Sequence, residues 1–400
     1  MIHLRIHLLV LIALISCSCS TEDPSSHPKT GHYFPPRGYP EKSIVHLESF
    51  IDWNPEKLQD AAQAEMVILP IDWCFSPESE GILEELRQLN PGIQIIGYQV
   101  MLGVYTLWPD TSYLQATLPY KLDYYQAVTN EWASTTTGDT LMIWRDLILL
   151  NPIDGDEINR SLIDTMIDLI VEYQSQTGDA LDGIMHDYFM YRPYINPTIR
   201  DLVEGEIDLN GNGVIIDEDT GEQALFYAWQ KEYAREIRNR FGEDFIQVGN
   251  GRPPQEDAEL AAILNGIFYE NFPNLRWQLT DRDGLLRLLQ HQEEGFLSTA
   301  KGRTWSILTN EYGGQNNLFC LVSSMLADCF YTEMHSPYLF TGWTIDIRAG
   351  APQQSTILEG RIDSMLTVKR AFDLGEARIS FFPSGQRNEV TFEESNTINH

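Results

Sequence analysis

From Ser43 onward the chain alternates short apolar runs with amphipathic segments, and this rhythm restricts the fold more than any other property. Strands are expected at Ile44–Leu47, Met66–Pro70, Ile93–Tyr98, Leu141–Ile143, Ala180–Met185, Phe245–Val248, Gly266–Tyr269, Thr304–Leu308 and Tyr338–Phe340. Several are almost continuously apolar, as strands covered on both faces must be. Helical periodicity fills the gaps over Pro77–Leu89, Glu157–Gln176, Glu222–Phe241, Arg282–Gly295 and Asn317–Phe330. In Glu222–Phe241 the residues Leu225, Trp229, Tyr233, Ile237 and Phe241 recur every fourth position, one stripe for one core. Eight or nine such alternations predict an α/β fold, a single (β/α)8 TIM barrel over 43–375. The rival is a doubly wound open sheet, which carries a glycine-rich phosphate turn. Gly249-Asn-Gly251 runs into Arg-Pro-Pro and cannot open a helix with the third glycine. After Arg370 the rhythm changes to Ala377–Phe382 and Glu389–Glu393, which predicts a short C-terminal β appendage and tail over 376–400.

The apolar stretch Leu8–Ile15 is too short for a bilayer, which needs about 20 residues, and suits a secretory signal instead. Leu14-Ile15-Ser16-Cys17 resembles the bacterial lipobox. That predicts a signal peptide over 1–16, a lipidated Cys17, and a polar Ser/Thr/Pro tether over 17–42. Ordinary secretory cleavage near Ser18 is the alternative. The lipobox reading places the chain in the bacterial cell envelope, outer membrane or periplasm-facing, with membrane contact through the N-terminal lipid alone. Cys19, Cys74, Cys320 and Cys329 match no zinc spacing. Buried thiols are expected, and a disulfide from Cys74 to Cys320 or Cys329 stays open in an exported chain. Acids outnumber basic residues 58 to 27, a formal charge of −31. Such a field repels nucleic acid and anionic lipid alike. A monomer is expected.

In a barrel of this type, chemistry sits just beyond the C-terminal ends of the strands. Those positions hold many acids: Ile51-Asp52-Trp53, Ile71-Asp72-Trp73, His186-Asp187-Tyr188, Tyr269-Glu270-Asn271-Phe272, Asn310-Glu311-Tyr312 and Asp346. Carboxylates beside aromatics and amides suit a sugar site. Acids move protons or attack carbon, aromatic faces stack on pyranose C–H surfaces, and amides hold hydroxyls. Asp187 and Glu270 stand out, because each ends an apolar strand among aromatics. The candidate substrate-binding set around them is Asp72, Trp73, His186, Tyr188, Asn250, Tyr269, Asn271, Glu311, Tyr312 and Asp346. Serine-hydrolase and zinc-protease chemistry lack their signatures, G-x-S-x-G and H-E-x-x-H.

Asp-Gly-Ile-Met-His-Asp-Tyr-Phe (182–189) and Asn-Gly-Ile-Phe-Tyr-Glu-Asn-Phe (265–272) resemble the paired signatures of glycoside-hydrolase-like barrels related to endo-α-1,4-polygalactosaminidases. Val248-Gly-Asn-Gly251 and Arg370-Ala-Phe-Asp-Leu-Gly375 extend the resemblance, which covers roughly 43–382. It implies an Asp ending the fourth strand and a Glu ending the sixth as catalytic carboxylates, matching Asp187 and Glu270 here. His186 departs from the small or apolar residue common at that position, and 200–222 is an insertion. The implied reaction is hydrolysis of a polysaccharide or oligosaccharide through an oxocarbenium-like transition state, with no cofactor in catalysis. Desolvation by Tyr269 and Phe272 favours Glu270 as the general acid, with the reverse assignment open. A surface lipoprotein that binds glycan without cleaving it is the alternative function.

Asp208-Leu-Asn210-Gly-Asn212-Gly213-Val214-Ile-Ile-Asp217-Glu-Asp219 follows the grammar of an EF-hand loop. Oxygen side chains stand at positions 1, 3, 5 and 12, glycine at 6 and a carbonyl donor, Val214, at 7. A structural Ca2+ is therefore expected on Asp208, Asn210, Asn212, Val214 and Asp219.

Overall fold

The computed structural model describes residues 41–47, 53–105, 111–251, 257–270, 272, 281–293, 305–309, 317–332, 349, 352–353, 356–360, 365–382 and 389–394. Eight strands form one parallel sheet in sequential order: β1 Ser43–Val45, β2 Met66–Pro70, β3 Gln94–Val100, β4 Gly183–Phe189, β5 Ile246–Gly251, β6 Gly266–Tyr269, β7 Ile307–Thr309 and β8 Phe330–Thr332. An open doubly wound sheet would reverse its order at a switch point, and this one does not. Its edges meet instead. Tyr331 donates its N–H to the Glu41 carbonyl at 2.9 Å, and the Ser43 and Thr332 hydroxyls lie 2.5 Å apart. The sheet is a barrel.

Helices separate the strands: α1 Pro55–Ala61, α2 Glu80–Leu89, α3 Arg160–Gln176, α4 Thr220–Phe241, α5 Ala258–Ile263, α6 Asp281–Glu293 and α7 Asn317–Leu326. Their starts are written in the sequence. Asn54, Asn159 and Asp219 each turn a side-chain oxygen onto backbone N–H groups of the first turn, at 2.9–3.0 Å. Side chains alternate between two cores because strand periodicity is two. Val45, Met66, Ile68, Ile96, Met185, Ile246, Val248, Phe268, Ile307 and Phe330 fill the barrel. Ile44, Val67, Leu69, Ile95 and Ile184 face the helices. Each such aliphatic side chain contributes roughly 1.5–3 kcal/mol by leaving water.

Three segments differ from the sequence expectations. The strand expected at Leu141–Ile143 lies outside the barrel: Met142–Trp144 pairs antiparallel with Leu147–Leu149, which pairs with Gly103–Tyr105. Asp146 closes that hairpin at φ 67°, a left-handed conformation that Asp tolerates better than most residues. This small sheet belongs to the long insertion between β3 and α3. The helix expected through Phe330 stops at Leu326; Asp328 adopts φ 52° and the chain re-emerges as β8. Cys329 is therefore off the helix, and Cys74, Cys320 and Cys329 are free, buried thiols. The appendage begins earlier than 376. Strands β9 Ile357–Gly360, β10 Leu366–Phe372, β11 Gly375–Phe381 and β12 Glu389–Glu394 form an antiparallel sheet. Its inner face, with Val368, Ile379 and Phe381, packs against Phe319 and Val322 of α7.

Among the described residues no helix is long and apolar enough to cross a membrane. The segment 1–16, Cys17, Cys19 and the strand expected at Tyr338–Phe340 lie outside the described residues.

Candidate active site

Tyr98, Asp187 and Asn250 turn inward at the same end of the barrel. Each stands two residues beyond an inward apolar residue, namely Ile96, Met185 and Val248, so the alternation turns all three inward at the C-terminal mouth. Glu270 follows β6 directly and continues the parity of Phe268. Asp187 gathers three donors. The Tyr98 hydroxyl donates to Oδ2 at 2.6 Å, the Asn250 amide to Oδ1 at 2.9 Å, and the Tyr188 N–H to Oδ1 at 2.7 Å. The same Asn250 nitrogen lies 3.5 Å from Glu270 Oε2. One amide thus spans two acids from alternate strands.

Burial pushes the Asp187 carboxyl up to about 6, and the negative charge of Glu270 adds to the rise; the Tyr98, Tyr188 and Asn250 donors oppose it. Tyr188 holds φ 74°, a costly conformation for an aromatic residue, and it aims its own N–H back at Asp187. The adjoining β4–β5 register shifts between Gly249 and Gly251. Gly251 sits at φ 135°, where a Cβ would lie 2.0 Å from the Phe189 carbonyl oxygen.

A cavity of about 560 Å3 opens beside Asp187 on the β3 side. Its lining includes Tyr98, Asp72, Lys121, Tyr105, Tyr120, Tyr124, Tyr125, Trp144 and Asp146. Asp72 and Lys121 form an ion pair at 2.7 Å, and the Tyr120 hydroxyl is buried without a hydrogen-bond partner. The mixture of aromatic faces and fixed polar groups suits a polyhydroxylated ring. A second cavity, about 650 Å3, lies on the helical side of the barrel among Cys74, Glu80, Arg87 and Tyr173. It is larger, but none of the strand-end carboxylates lines it.

The expected set divides. Asp72, Asp187, Asn250 and Glu270 come to the barrel mouth. Four others point away, because a side chain one residue along a strand or turn faces the opposite core. His186 is fully buried between β4 and α4, with Nε2 2.9 Å from Gln247 Oε1 and its ring edge-on to Tyr233. Burial lowers it to about 4, so it is neutral. Trp73 stacks on Trp53 at 6.0 Å in the outer core. Tyr188 packs edge-on against Trp144, supporting the cleft wall from behind. Tyr269 is turned outward onto Phe272 in the helix-facing core. Asn271, Glu311, Tyr312 and Asp346 lie outside the described residues, as do Asp52 and Trp343.

Tyr98, Lys121 and Asp146 were not in the expected set. Tyr98 had a readable signal, a polar-tipped residue ending an apolar strand in phase with Ile96. Lys121 and Asp146 come from the insertion, where no strand-end rule applies. Of the residues expected to hold calcium, Asp208, Asn210, Asn212, Val214 and Asp219 form one closed loop ending on α4, away from the acid pair.

Trp144 forms a cavity wall propped by Tyr188 and Tyr194, so its replacement tests what the cleft binds. Trp144→Ala should raise KM about tenfold with kcat changed by less than about threefold, as expected for a stacking contact made equally in ground and transition states.

No known protein family matches the chain, and no curated protein matches it by sequence. Solved structures match in outline. The cyclic α-maltosyl-(1→6)-maltose hydrolase from Arthrobacter globiformis is 12% identical over 90% of this chain and 93% of its own, with a TM-score of 0.46. The α-amylase from H. orenii is 12% identical over 87% and 90%, with a TM-score of 0.42. The maltogenic amylase from S. marinus is 13% identical with a TM-score of 0.41, over 82% of this chain. The chain spans 55% of that amylase's length. Likenesses this distant leave the barrel assignment to the strand pairing itself.

Proposed function

We propose that the protein hydrolyses a glycosidic bond of a polysaccharide or oligosaccharide, using Asp187 and Glu270 as its carboxylate pair. The observation carrying this reading is the shared contact of Asn250 with both acids beside an aromatic-lined cavity at the barrel mouth. Contacts of 2.9 and 3.5 Å to one nitrogen keep the two nearest oxygens within the sum of those lengths. We read the two acids as a retaining pair, in which one carboxylate attacks carbon and the other serves as acid and then as base.

Asp187 is the nucleophile in this reading. Three donors face its oxygens and favour its anionic form against the burial that raises it. Glu270 gives its proton to the departing glycosidic oxygen while Asp187 attacks the anomeric carbon. Water then cleaves the glycosyl ester, with Glu270 taking the proton back. Activity should fall on the acid side near pH 6, as Asp187 gains a proton. Removing the Tyr98 donor lifts Asp187 further, so Tyr98→Phe should move that limb to higher pH in a kcat/KM profile. A limb that stays in place or moves down rejects Asp187 as the anionic partner.

The direct test is release of reducing ends from neutral and amino-sugar polysaccharides by the purified chain, with the Asp187→Asn, Glu270→Gln double variant as control. Turnover by the double variant equal to wild type overturns the reading. Tight glycan binding without turnover supports the binding lipoprotein instead. On the sequence around Cys17 we further propose that the chain is lipid-anchored in the bacterial envelope. Metabolic labelling with a fatty-acid analogue, lost in Cys17→Ser, tests this.

A further inference from the structure

The loop between β4 and α4 carries chemistry that sugar cleavage does not use. Asp208 is 4% exposed and accepts from the Asn212 N–H at 3.2 Å and the Gly213 N–H at 2.9 Å. Asp219, eleven residues later, meets the Asn212 amide through Oδ2 at 2.8 Å while its Oδ1 caps α4. Positions 1 and 12 of the loop therefore close on one centre lined by Asn210 and Asn212. A half-turn of the Asn212 amide exchanges its N–H donor for the carbonyl oxygen that a hard cation takes.

A separate observation points to a positive ion. Glu222, on the first turn of α4, is 1% exposed, and one of its oxygens accepts the Leu209 N–H inside the loop. Its other oxygen, Oε2, is buried without a hydrogen-bond partner. The charges acting most strongly on it are those of Asp208 and Asp219, both of its own sign. A carboxylate oxygen buried beside two further carboxylates is balanced either by a proton or by a cation, and the oxygen set of this loop offers the second.

We propose that this loop binds one Ca2+ through Asp208, Asn210, Asn212, the Val214 carbonyl and Asp219, with Glu222 as the buried charge behind it. Among the described residues no three carboxylate, imidazole or thiolate groups form a metal cluster by themselves. The set is completed by amide and peptide oxygens, which suits a large ion with flexible coordination. Mg2+ demands a tighter octahedron, and Zn2+ prefers nitrogen or sulfur. The few formal charges place the affinity on the order of 10⁻⁴ M, the range of extracellular calcium modules. Binding would also brace the cleft wall. Asn151 donates to the Leu209 carbonyl at 3.0 Å, and the Thr136 N–H to the Glu206 carbonyl at 2.8 Å, tying the loop to the insertion that carries Trp144.

Calorimetric titration of the EDTA-treated full chain with CaCl2, and in parallel with MgCl2, tests the proposal alongside thermal melts. The expected result is one Ca2+ per chain, a Tm raised by about 3 °C or more at about 5 mM Ca2+, and at least tenfold weaker Mg2+ binding. Glu222→Gln should weaken calcium at least tenfold, yet melt higher than wild type in EDTA, because it removes an unbalanced buried charge. Opposite signs in those two readouts separate a charge behind a metal from a merely structural residue. Absence of saturable calcium binding by the wild-type chain overturns the site, as does wild-type affinity in the Asp208→Asn, Asp219→Asn double variant. Equal Mg2+ and Ca2+ affinity overturns the choice of ion, and unchanged affinity in Glu222→Gln overturns the part given to Glu222.

Discussion

Asp187→Asn should lower kcat/KM on a cleaved glycan by about 10³-fold or more, mostly in kcat. An amide at that position cannot form the glycosyl ester, and it places an N–H group against the Tyr98, Tyr188 and Asn250 donors. The variant also carries a stability signature that depends on pH. Burial raises the Asp187 carboxyl from the ordinary 3.8 to about 6 in the folded chain. Folded protein therefore binds that proton more tightly than unfolded protein does. The wild type bears the full cost of the buried charge above about pH 6, and the cost fades as pH falls toward 4. Relative to wild type, Asp187→Asn should gain in Tm between pH 4 and pH 7. Parallel melts over that range check the sign, and a relative loss would show that Asp187 is not the strained acid of the pair.

Gly251→Ala should destabilise the chain by roughly 3 kcal/mol, among the larger effects open to a single methyl group. Two causes coincide. The residue holds φ 135°, where a side chain is strained, and the added carbon would meet the Phe189 carbonyl oxygen at 2.0 Å. Relief requires β4 and β5 to separate at the register shift that places Asn250 between the two acids. Activity should therefore fall together with stability. Denaturant unfolding of Gly251→Ala, beside Gly81→Ala on α2 as a control in open space, measures the difference. Equal stability of the two variants would mean that the strand contact is not tight.

Much of the barrel was legible because buried parallel strands are apolar without interruption. Met66–Pro70 and Gly266–Tyr269 fall at the expected residues. β8 was not legible: three residues long, it follows an apolar helix after a turn at Asp328 that carries no glycine or proline signal. In the site, Asp187 and Glu270 were readable as acids ending apolar strands. His186, Trp73 and Tyr269 were misplaced by their company. Residues adjacent in sequence to an inward acid face outward, and composition around a motif does not report that alternation. Tyr98 follows the same parity rule as Asp187 and was readable from it. Lys121 and Asp146 were not, since their places depend on how the insertion folds back over the mouth.

The three-stranded insertion sheet has a consequence for how such a chain diversifies. Met142–Trp144, Leu147–Leu149 and Gly103–Tyr105 pair among themselves rather than with the barrel. Their segment supplies Tyr105, Trp144 and Asp146 to the cavity but neither acid. If the proposed reaction holds, cutting and choosing are encoded in separate stretches of chain. A graft of this module alone would then change sugar selectivity with Asp187 and Glu270 untouched.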